Sequence, residues 1–401
     1  MNILYTFLKS QSSITWFQTR VLLWAQAHGR HNLPWQAPHT PYKTWISEIM
    51  LQQTQVSRVI SFFESFINAF PNVKQLARAE NDEVLFYWTG LGYYSRAKNL
   101  HAAAQIIVEQ HNGQIPCSIA ELNNLPGIGK STAGAIRSLG HGLDGSILDG
   151  NVRRLLGRFF MIDGKPMSTA MEYNYWHVSD ALSPGKAAKD RLFNQALMDL
   201  GSQICTSRNP RCNLCPLHLE CKAYQAGRQA DYPITQAKYR RAQTLPATES
   251  IPITSDKAVS TQPKRRREEK AYLFLLKNNA IYLQKNPPVG IWSNLWCPLE
   301  FDSIANLQDY VQQLFNSQTN PQAIALEPIL HKFSHFDRKI MPFYIEIHAL
   351  DHHPTHCLGV AETSEHIWYN PLNPSVLGLA APIKALIGQL ADYCIDATEN
   401  I

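Results

Sequence analysis

The chain has 401 residues, 45% of them hydrophobic, and a formal net charge of +5, which is apolar material enough for two or three domains. Residues 1–230 carry 22 Lys and Arg against 15 Asp and Glu, residues 231–270 carry 9 against 5, and residues 271–401 carry 6 against 12. A basic front suits a polyanionic partner, and the acidic back argues for a separate unit. A membrane span, a signal peptide and a disulfide framework are all excluded. No run of about 18 apolar residues occurs, Met1–Ser10 lacks a basic start and a cleavage site, and the eight cysteines are spaced for a reducing compartment.

Ile14–His28 carries Trp16, Val21, Leu22, Trp24 and Ala25 at helical spacing, and Leu33-Pro34-Trp35-Gln36 breaks it. A second helical region, Tyr42–Phe66, contains Ser-Glu-Ile-Met-Leu-Gln-Gln-Thr-Gln-Val, in which Glu48 is the only acid before Glu64. A carboxyl among Trp45, Ile49 and Leu51 would lose hydration, gain pKa and become a general acid near neutral pH. The commoner fate of such a residue is the solvent face of the helix. The polar cluster Gln52, Gln53, Thr54 and Gln55 cannot all enter a core, so part of this region faces something polar.

Helices are expected at Val73–Ala79, Asn81–Thr89 and Ser95–His111. Between the last two, Gly90-Leu91-Gly92-Tyr93-Tyr94 makes a turn that presents flat rings to bases or packs them in the core. Leu125-Pro126-Gly127-Ile128-Gly129-Lys130-Ser131-Thr132 then reads as a tight hairpin with positive φ at its glycines, leading into a helix. The unpaired N–H groups at that helix start would attract a DNA phosphate. Leu148-Asp149-Gly150-Asn151-Val152-Arg153-Arg154 follows. Asp149 serves either as a catalytic carboxylate or as the N-cap of the next helix.

Asp190–Met198 reads as a further helix. After it comes Cys205-x6-Cys212-x2-Cys215-x5-Cys221. Four thiols this close suit one metal centre. A single short pair with longer gaps favours a 4Fe–4S cluster over zinc.

Together these residues resemble the endonuclease III superfamily of helix-hairpin-helix DNA glycosylases. SEIMLQQTQV, WTGLGYY (Trp88–Tyr94) and ILDGNVRR are similar to its adenine DNA glycosylase, or MutY, branch. The resemblance implies removal of adenine mispaired with 8-oxoguanine or guanine in double-stranded DNA. It implies Glu48 as proton donor, Asp149 as stabilising carboxylate, Asn151 as its orienting neighbour, and a cluster on Cys205, Cys212, Cys215 and Cys221. It further implies DNA contacts by Gln52, Gln53, Tyr93, Gly127, Gly129, Lys130, Ser131, Arg154, Arg208 and Arg211, with Glu172 and Gln195 near the adenine pocket. The lyase branch carries a lysine two residues after the second hairpin glycine. Ser131 stands there, so Schiff-base strand cleavage is expected to be weak or missing.

Residues 226–269, with scattered prolines and the run Lys264-Arg265-Arg266-Arg267, read as a linker ending in a solvated charge cluster. From 270 to 393 the pattern is α+β. Strand-like runs lie at Ala271–Leu276, Ala280–Gln284 and Ile340–Leu350, and helices at Ser303–Phe315 and Val376–Leu390. The domain resembles the MutT/Nudix-related domain of the same family but lacks the Arg-Glu-x-x-Glu-Glu helix of Nudix pyrophosphatases. By the same resemblance, Phe333, Ser334 and His335 sense 8-oxoguanine.

The expected architecture is therefore an all-α helix-hairpin-helix domain (1–225) with an iron–sulfur loop, a linker (226–269), a Nudix-like α+β domain (270–393) and a tail (394–401). A monomer is expected, in the cytoplasm or nucleoid of a bacterium or the nucleus or mitochondrion of a eukaryote. The competing readings are a pyrimidine-directed glycosylase/lyase, a non-catalytic damage-binding iron–sulfur protein, and a Nudix hydrolase with an appended DNA-binding domain.

Overall fold

The computed structural model describes residues 3–244, 265–315, 322–347 and 365–399. It separates into two compact units, Met1–Arg78 with Asn99–Lys257, and Ala79–Lys98 with Ala258–Ile401. Among the described residues no helix is long and apolar enough to cross a membrane.

The first unit is helical. Its larger core joins Phe17, Val21 and Trp24 of helix Gln11–His28 to Leu155, Leu156 and Phe159 of helix Gly150–Phe160 and to Phe193 and Leu197 of helix Ala187–Asp199. Phe17 meets Phe159 edge-on at 5.0 Å, the geometry that aromatic quadrupoles favour. The expected single region over 42–66 is two helices, Pro41–Leu51 and Val56–Ala69. The break falls at the glutamines, where Gln53 takes φ +57°. Helix Pro41–Leu51 begins with Thr40 capping the Lys43 N–H and proline at its first position. It lies against the turn Ile136–Gly140, where a Cβ on Gly140 would stand 2.7 Å from Pro41 Cα.

The second unit is built on a mixed sheet. Its strands are β1 (Arg266–Lys277), β2 (Ala280–Lys285), β3 (Trp296–Cys297), β4 (Leu299–Phe301), β5 (Ile324–Ala325), β6 (Ile329–Lys332), β7 (Phe336–Glu346) and β8 (His366–Tyr369). They are ordered β3-β2-β1-β7-β5, with β4 on β1, β6 on β7 and β8 on β2. β1 and β7 run parallel over Arg266↔Phe336 to Leu276↔Glu346, and the other pairings are antiparallel. Residues 271–276 of β1 are all buried, as an apolar run in a central strand requires. Asn278 and Asn279, both at positive φ, close the β1–β2 hairpin. Helix Ile304–Leu314 covers one face with Leu307, Tyr310, Val311 and Leu314.

Several boundaries differ from those expected from sequence. β1 starts at Arg266, inside the expected linker, because its register with β7 extends that far. β7 begins at Phe336 for the same reason. The last helix is Ala381–Glu399, so the expected tail is largely helical, and that helix starts later than Val376. Arg265 is not a free linker cation, since its Nε pairs with Asp337 at 3.0 Å. Lys264 and the rest of residues 245–264 lie outside the described residues. Residues 79–98 cluster with the C-terminal unit although they are helical and lie within the first 225 residues.

Candidate active site

Asp149 is held between two buried neighbours, Leu148 and Val152. Its Oδ1 accepts from the Asn151 N–H (3.0 Å) and the Val152 N–H (2.7 Å), and its Oδ2 accepts from Asn151 Nδ2 (2.8 Å). The carboxylate therefore is the N-cap of helix Gly150–Phe160, and the cap points it at a fixed angle. Asn151 is held in turn: its Oδ1 accepts from Arg154 Nη2 at 2.8 Å, while Arg154 also donates to the carbonyls of Cys205 (2.7 Å) and Gly201 (2.5 Å). Close approach there requires Gly201, because a Cβ would lie 2.7 Å from Asn151 Cβ.

Glu48 is half-buried on helix Pro41–Leu51, with Trp45, Ile46, Ile49 and Met50 buried around it. Burial, and then the nearby Asp149 carboxylate, push its pKa up to about 8. Burial also raises Asp149, but the Val152 and Asn151 donors and the Arg154 charge oppose that rise. Burial thus favours the protonated form of Glu48, while the donors around Asp149 favour its charged form. Two carboxyls in such different surroundings are the arrangement that acid-assisted glycosidic cleavage can use.

The hairpin connects directly to this pair. Gly127 has φ +77°, but Gly129 has φ −95°. Only the first glycine needs the left-handed region, and the second caps helix Lys130–Ala135. A Cβ on Gly129 would meet nothing within 4 Å. Ser131 turns inward, its Oγ accepting from the Leu148 N–H at 3.2 Å, one residue before Asp149. Lys130 stays exposed, over the Trp176 ring at 3.8 Å and 3.8 Å from Asp180. Gln53 is exposed and Gln52 half-buried at the helix break.

Arg154, expected on DNA, is a brace between Asn151 and the cysteine loop, its guanidinium committed to protein acceptors. Glu172 and Gln195, expected near the adenine pocket, are engaged elsewhere. Glu172 forms a two-pronged pair with Arg153 at 2.8 and 2.7 Å, and Gln195 donates to Asp199 at 3.0 Å. Asp199 is the buried partner of Arg30. Neither contact involves Glu48 or Asp149.

Cys205, Cys212, Cys215 and Cys221 line one cavity, walled by Leu155, Phe159, Ile204 and Leu217. Among the described residues no three His, Cys, Asp or Glu side chains stand close enough together to hold one metal ion. Four thiols on one cavity are the donor type that an iron–sulfur cluster takes. Burial pushes Cys215 up to about 12 and Cys221 up to about 11, so a cationic centre would be needed to draw them into thiolate form. Arg158, buried, donates to Cys205 Sγ (3.4 Å) and to the carbonyls of Thr206 (2.6 Å), Gln229 (2.9 Å) and Tyr232 (3.0 Å). The donor set fits a cluster. Arg208 and Arg211 are exposed on this loop.

In the second unit Tyr93 is exposed with φ +50°. Ser334 Oγ donates to its hydroxyl at 3.4 Å. The loop bearing Ser334 and the exposed His335 joins β6 to β7, closed by the Phe333 N–H on the Phe336 carbonyl (2.9 Å). The Phe333 and Phe336 rings stack at 4.7 Å. Arg338 lies beneath, 5.7 Å from the Trp292 ring and 5.8 Å from Phe333, held by Glu268 (2.6 Å) and the Tyr272 hydroxyl (2.8 Å). Sequence reasoning missed Arg338, Trp292, Arg158 and the Arg30–Asp199 pair. No local motif marks them, because each is defined by partners far along the chain.

Residues 46–179 match the model of the HhH-GPD superfamily base excision DNA repair proteins, and residues 271–389 match that of the NUDIX domain. An adenine DNA glycosylase of Buchnera aphidicola subsp. Baizongia pistaciae is 35% identical over 382 residues, 95% of this chain and 98% of that protein. That of Buchnera aphidicola subsp. Acyrthosiphon pisum is 36% identical over 376 residues, 92% and 96% of the two chains. The Mus musculus adenine DNA glycosylase is 32% identical over 329 residues, 75% of this chain and 62% of its own. With a pair of neighbouring carboxyls, a hairpin and a Nudix-like sheet in one chain, and relatives matched along nearly its whole length, this protein belongs to the adenine DNA glycosylase family.

Proposed function

We propose that this base-excision repair glycosylase releases adenine from double-stranded DNA in which it stands opposite 8-oxoguanine or guanine, by acid-assisted hydrolysis of the N-glycosidic bond. The bond is inaccessible in a stacked duplex, so the adenine is flipped out first. Glu48, carrying a proton at neutral pH, donates it to adenine N7, and the base leaves neutral. The sugar becomes an oxocarbenium-like cation. Asp149, fixed by its cap hydrogen bonds and by Asn151, stabilises that cation and directs water to it. The observation that carries this reading is Glu48 among buried apolar residues of its helix and near a second carboxylate, Asp149, that is surrounded by donors. With Ser131, bonded to Leu148, at the position where the lyase branch carries its lysine, Schiff-base strand cleavage is weak or missing.

Cys205, Cys212, Cys215 and Cys221 would hold a 4Fe–4S cluster, which would tie the four thiolates together and so shape the loop bearing Arg208 and Arg211. Those arginines, Lys130 and the Gly127–Ser131 backbone are the proposed phosphate contacts. Gln52 and Gln53 lie beside the flipped nucleotide. Tyr93, Phe333, Ser334 and His335 read the opposite base. The enzyme acts as a monomer, wherever the cell keeps its duplex DNA.

Single-turnover incubation with duplexes bearing A opposite 8-oxoguanine, A opposite G, or thymine glycol, with and without alkali, tests the proposal. Alkali-dependent nicking of the first two is expected. Nicking of thymine glycol without alkali would instead favour a pyrimidine glycosylase/lyase, and no nicking at all a damage-binding protein.

A further inference from the structure

Residues 79–98 interrupt the helical unit in sequence but cluster with the C-terminal sheet, and specific side chains fasten both ends of the segment there. At its start, Asp82 lies in the first turn of helix Asn81–Trp88. Its Oδ1 accepts from Trp296 Nε1 at 3.1 Å and its Oδ2 from Lys285 Nζ at 3.2 Å. An acid in a first helical turn gains from the helix dipole wherever it points, but here both oxygens are taken by side chains of the sheet. Lys285 also pairs with the exposed Glu365 at 2.8 Å. Halfway along, Leu85 meets Gly378 so closely that a Cβ there would stand 2.6 Å from the Leu85 Cβ. Past the helix, the Thr89 and Tyr94 hydroxyls donate to the Leu379 carbonyl at 3.0 and 3.2 Å, and Lys98 Nζ donates to Ser293 Oγ at 2.7 Å.

Between these anchors the backbone is strained. Gly90 (φ +104°), Gly92 (+78°) and Tyr93 (+50°) all take positive φ, a conformation that surrounding contacts must maintain for tyrosine. The strained residue is the one whose hydroxyl meets Ser334.

We infer that residues 79–98 and the C-terminal sheet form one reading head, in which Asp82, through Trp296 and Lys285, is a positioning residue that sets Tyr93 against Ser334 and so governs discrimination of the base opposite adenine. This rests on the proposed role of Tyr93 and Ser334 in reading that base. Asp82 touches no substrate, so its loss should fall on selectivity more than on base release.

The test uses the full-length protein with D82N, which keeps the shape and removes the charge, and W296F, which keeps a ring and removes the donor. Single-turnover rates are measured with A opposite 8-oxoguanine and A opposite G. The ratio of the two rates should fall roughly fivefold or more in each variant. Combining either with S334A should cost less than the product of the single losses, because one contact is disturbed twice. Amide exchange should quicken at 79–98 and not in helix Gly150–Phe160. Equal slowing on both substrates, an unchanged ratio where S334A lowers it, or unchanged exchange at 79–98 would each overturn the inference. If S334A itself leaves the ratio unchanged, the underlying reading of the opposite base fails first, and this inference goes with it.

Discussion

Glu48 carries opposite consequences for chemistry and for stability. As the proposed proton donor it must be protonated, so single-turnover base release should decline as pH rises through about 8. The same shift opposes folding. The folded protein holds a proton that the unfolded chain releases near the ordinary value of 4.5, so stability falls as pH rises from there to about 8 and is level above it. Glu48→Gln removes both effects. Base release should drop roughly a thousandfold or more, while Tm measured near pH 8 should rise above the wild type and converge with it near pH 4.5. A Gln variant with near-normal turnover removes Glu48 from the reaction. Asp149→Asn separates the two duties of that side chain. Asparagine caps helices about as well as aspartate, so the stability change should stay within about 1 kcal/mol, while the single-turnover rate collapses for want of the anion. Large unfolding with a parallel loss of rate would mean that the cap is its main office.

At the level of elements, the hairpin and the Asp149 segment are joined by a side-chain hydrogen bond from the Leu148 N–H to Ser131. Ser131→Ala removes the acceptor for the buried Leu148 N–H and should cost about 1–2 kcal/mol in chemical denaturation, with slowed base release because Asp149 loses its support. Arg158 does similar work for the cysteine loop, joining helix Gly150–Phe160 to Cys205, Thr206, Gln229 and Tyr232. Arg158→Met removes the guanidinium donor from the Thr206, Gln229 and Tyr232 carbonyls. Iron bound per chain and visible absorbance should both decrease, whereas unchanged iron content would show that the loop closes without it. Both elements were visible in the sequence as patterns, Gly-x-Gly and Cys-x6-Cys-x2-Cys-x5-Cys, because turn geometry and ligand spacing are local properties. The residues that anchor them were not visible. A serine after a glycine and an arginine amid Leu-Leu-Gly-Arg-Phe-Phe have no local signature of what they reach.

For the whole molecule, the two units are not consecutive in sequence, and this bears on any attempt to divide the chain. A chain ending at Thr244 keeps Glu48, Asp149 and the cysteine loop but removes Trp296, Lys285 and Leu379 from residues 79–98. It should still bind DNA and release adenine slowly, with amide exchange raised at 79–98 and little preference for 8-oxoguanine over guanine. Retained preference would place the reading of that base elsewhere. The basic front half predicts that DNA affinity falls steeply with added salt, as counterion release demands, and titration of Kd against salt measures how many phosphates are engaged.

The sequence by itself determined the chemistry available to this protein: an acid in an apolar helix, a carboxylate at a helix start, four thiols in one loop, and a serine where a nucleophilic lysine would stand. Each is a matter of residue type and near spacing. Tertiary structure alone decided how far the Glu48 carboxyl is driven toward its protonated form, because burial and the approach of Asp149 set that shift. It alone also put Tyr93 against Ser334 across 241 positions and gave residues 79–98 to the C-terminal sheet. Hydration and hydrogen-bond partners are supplied by distant parts of the chain, and only folding brings them together.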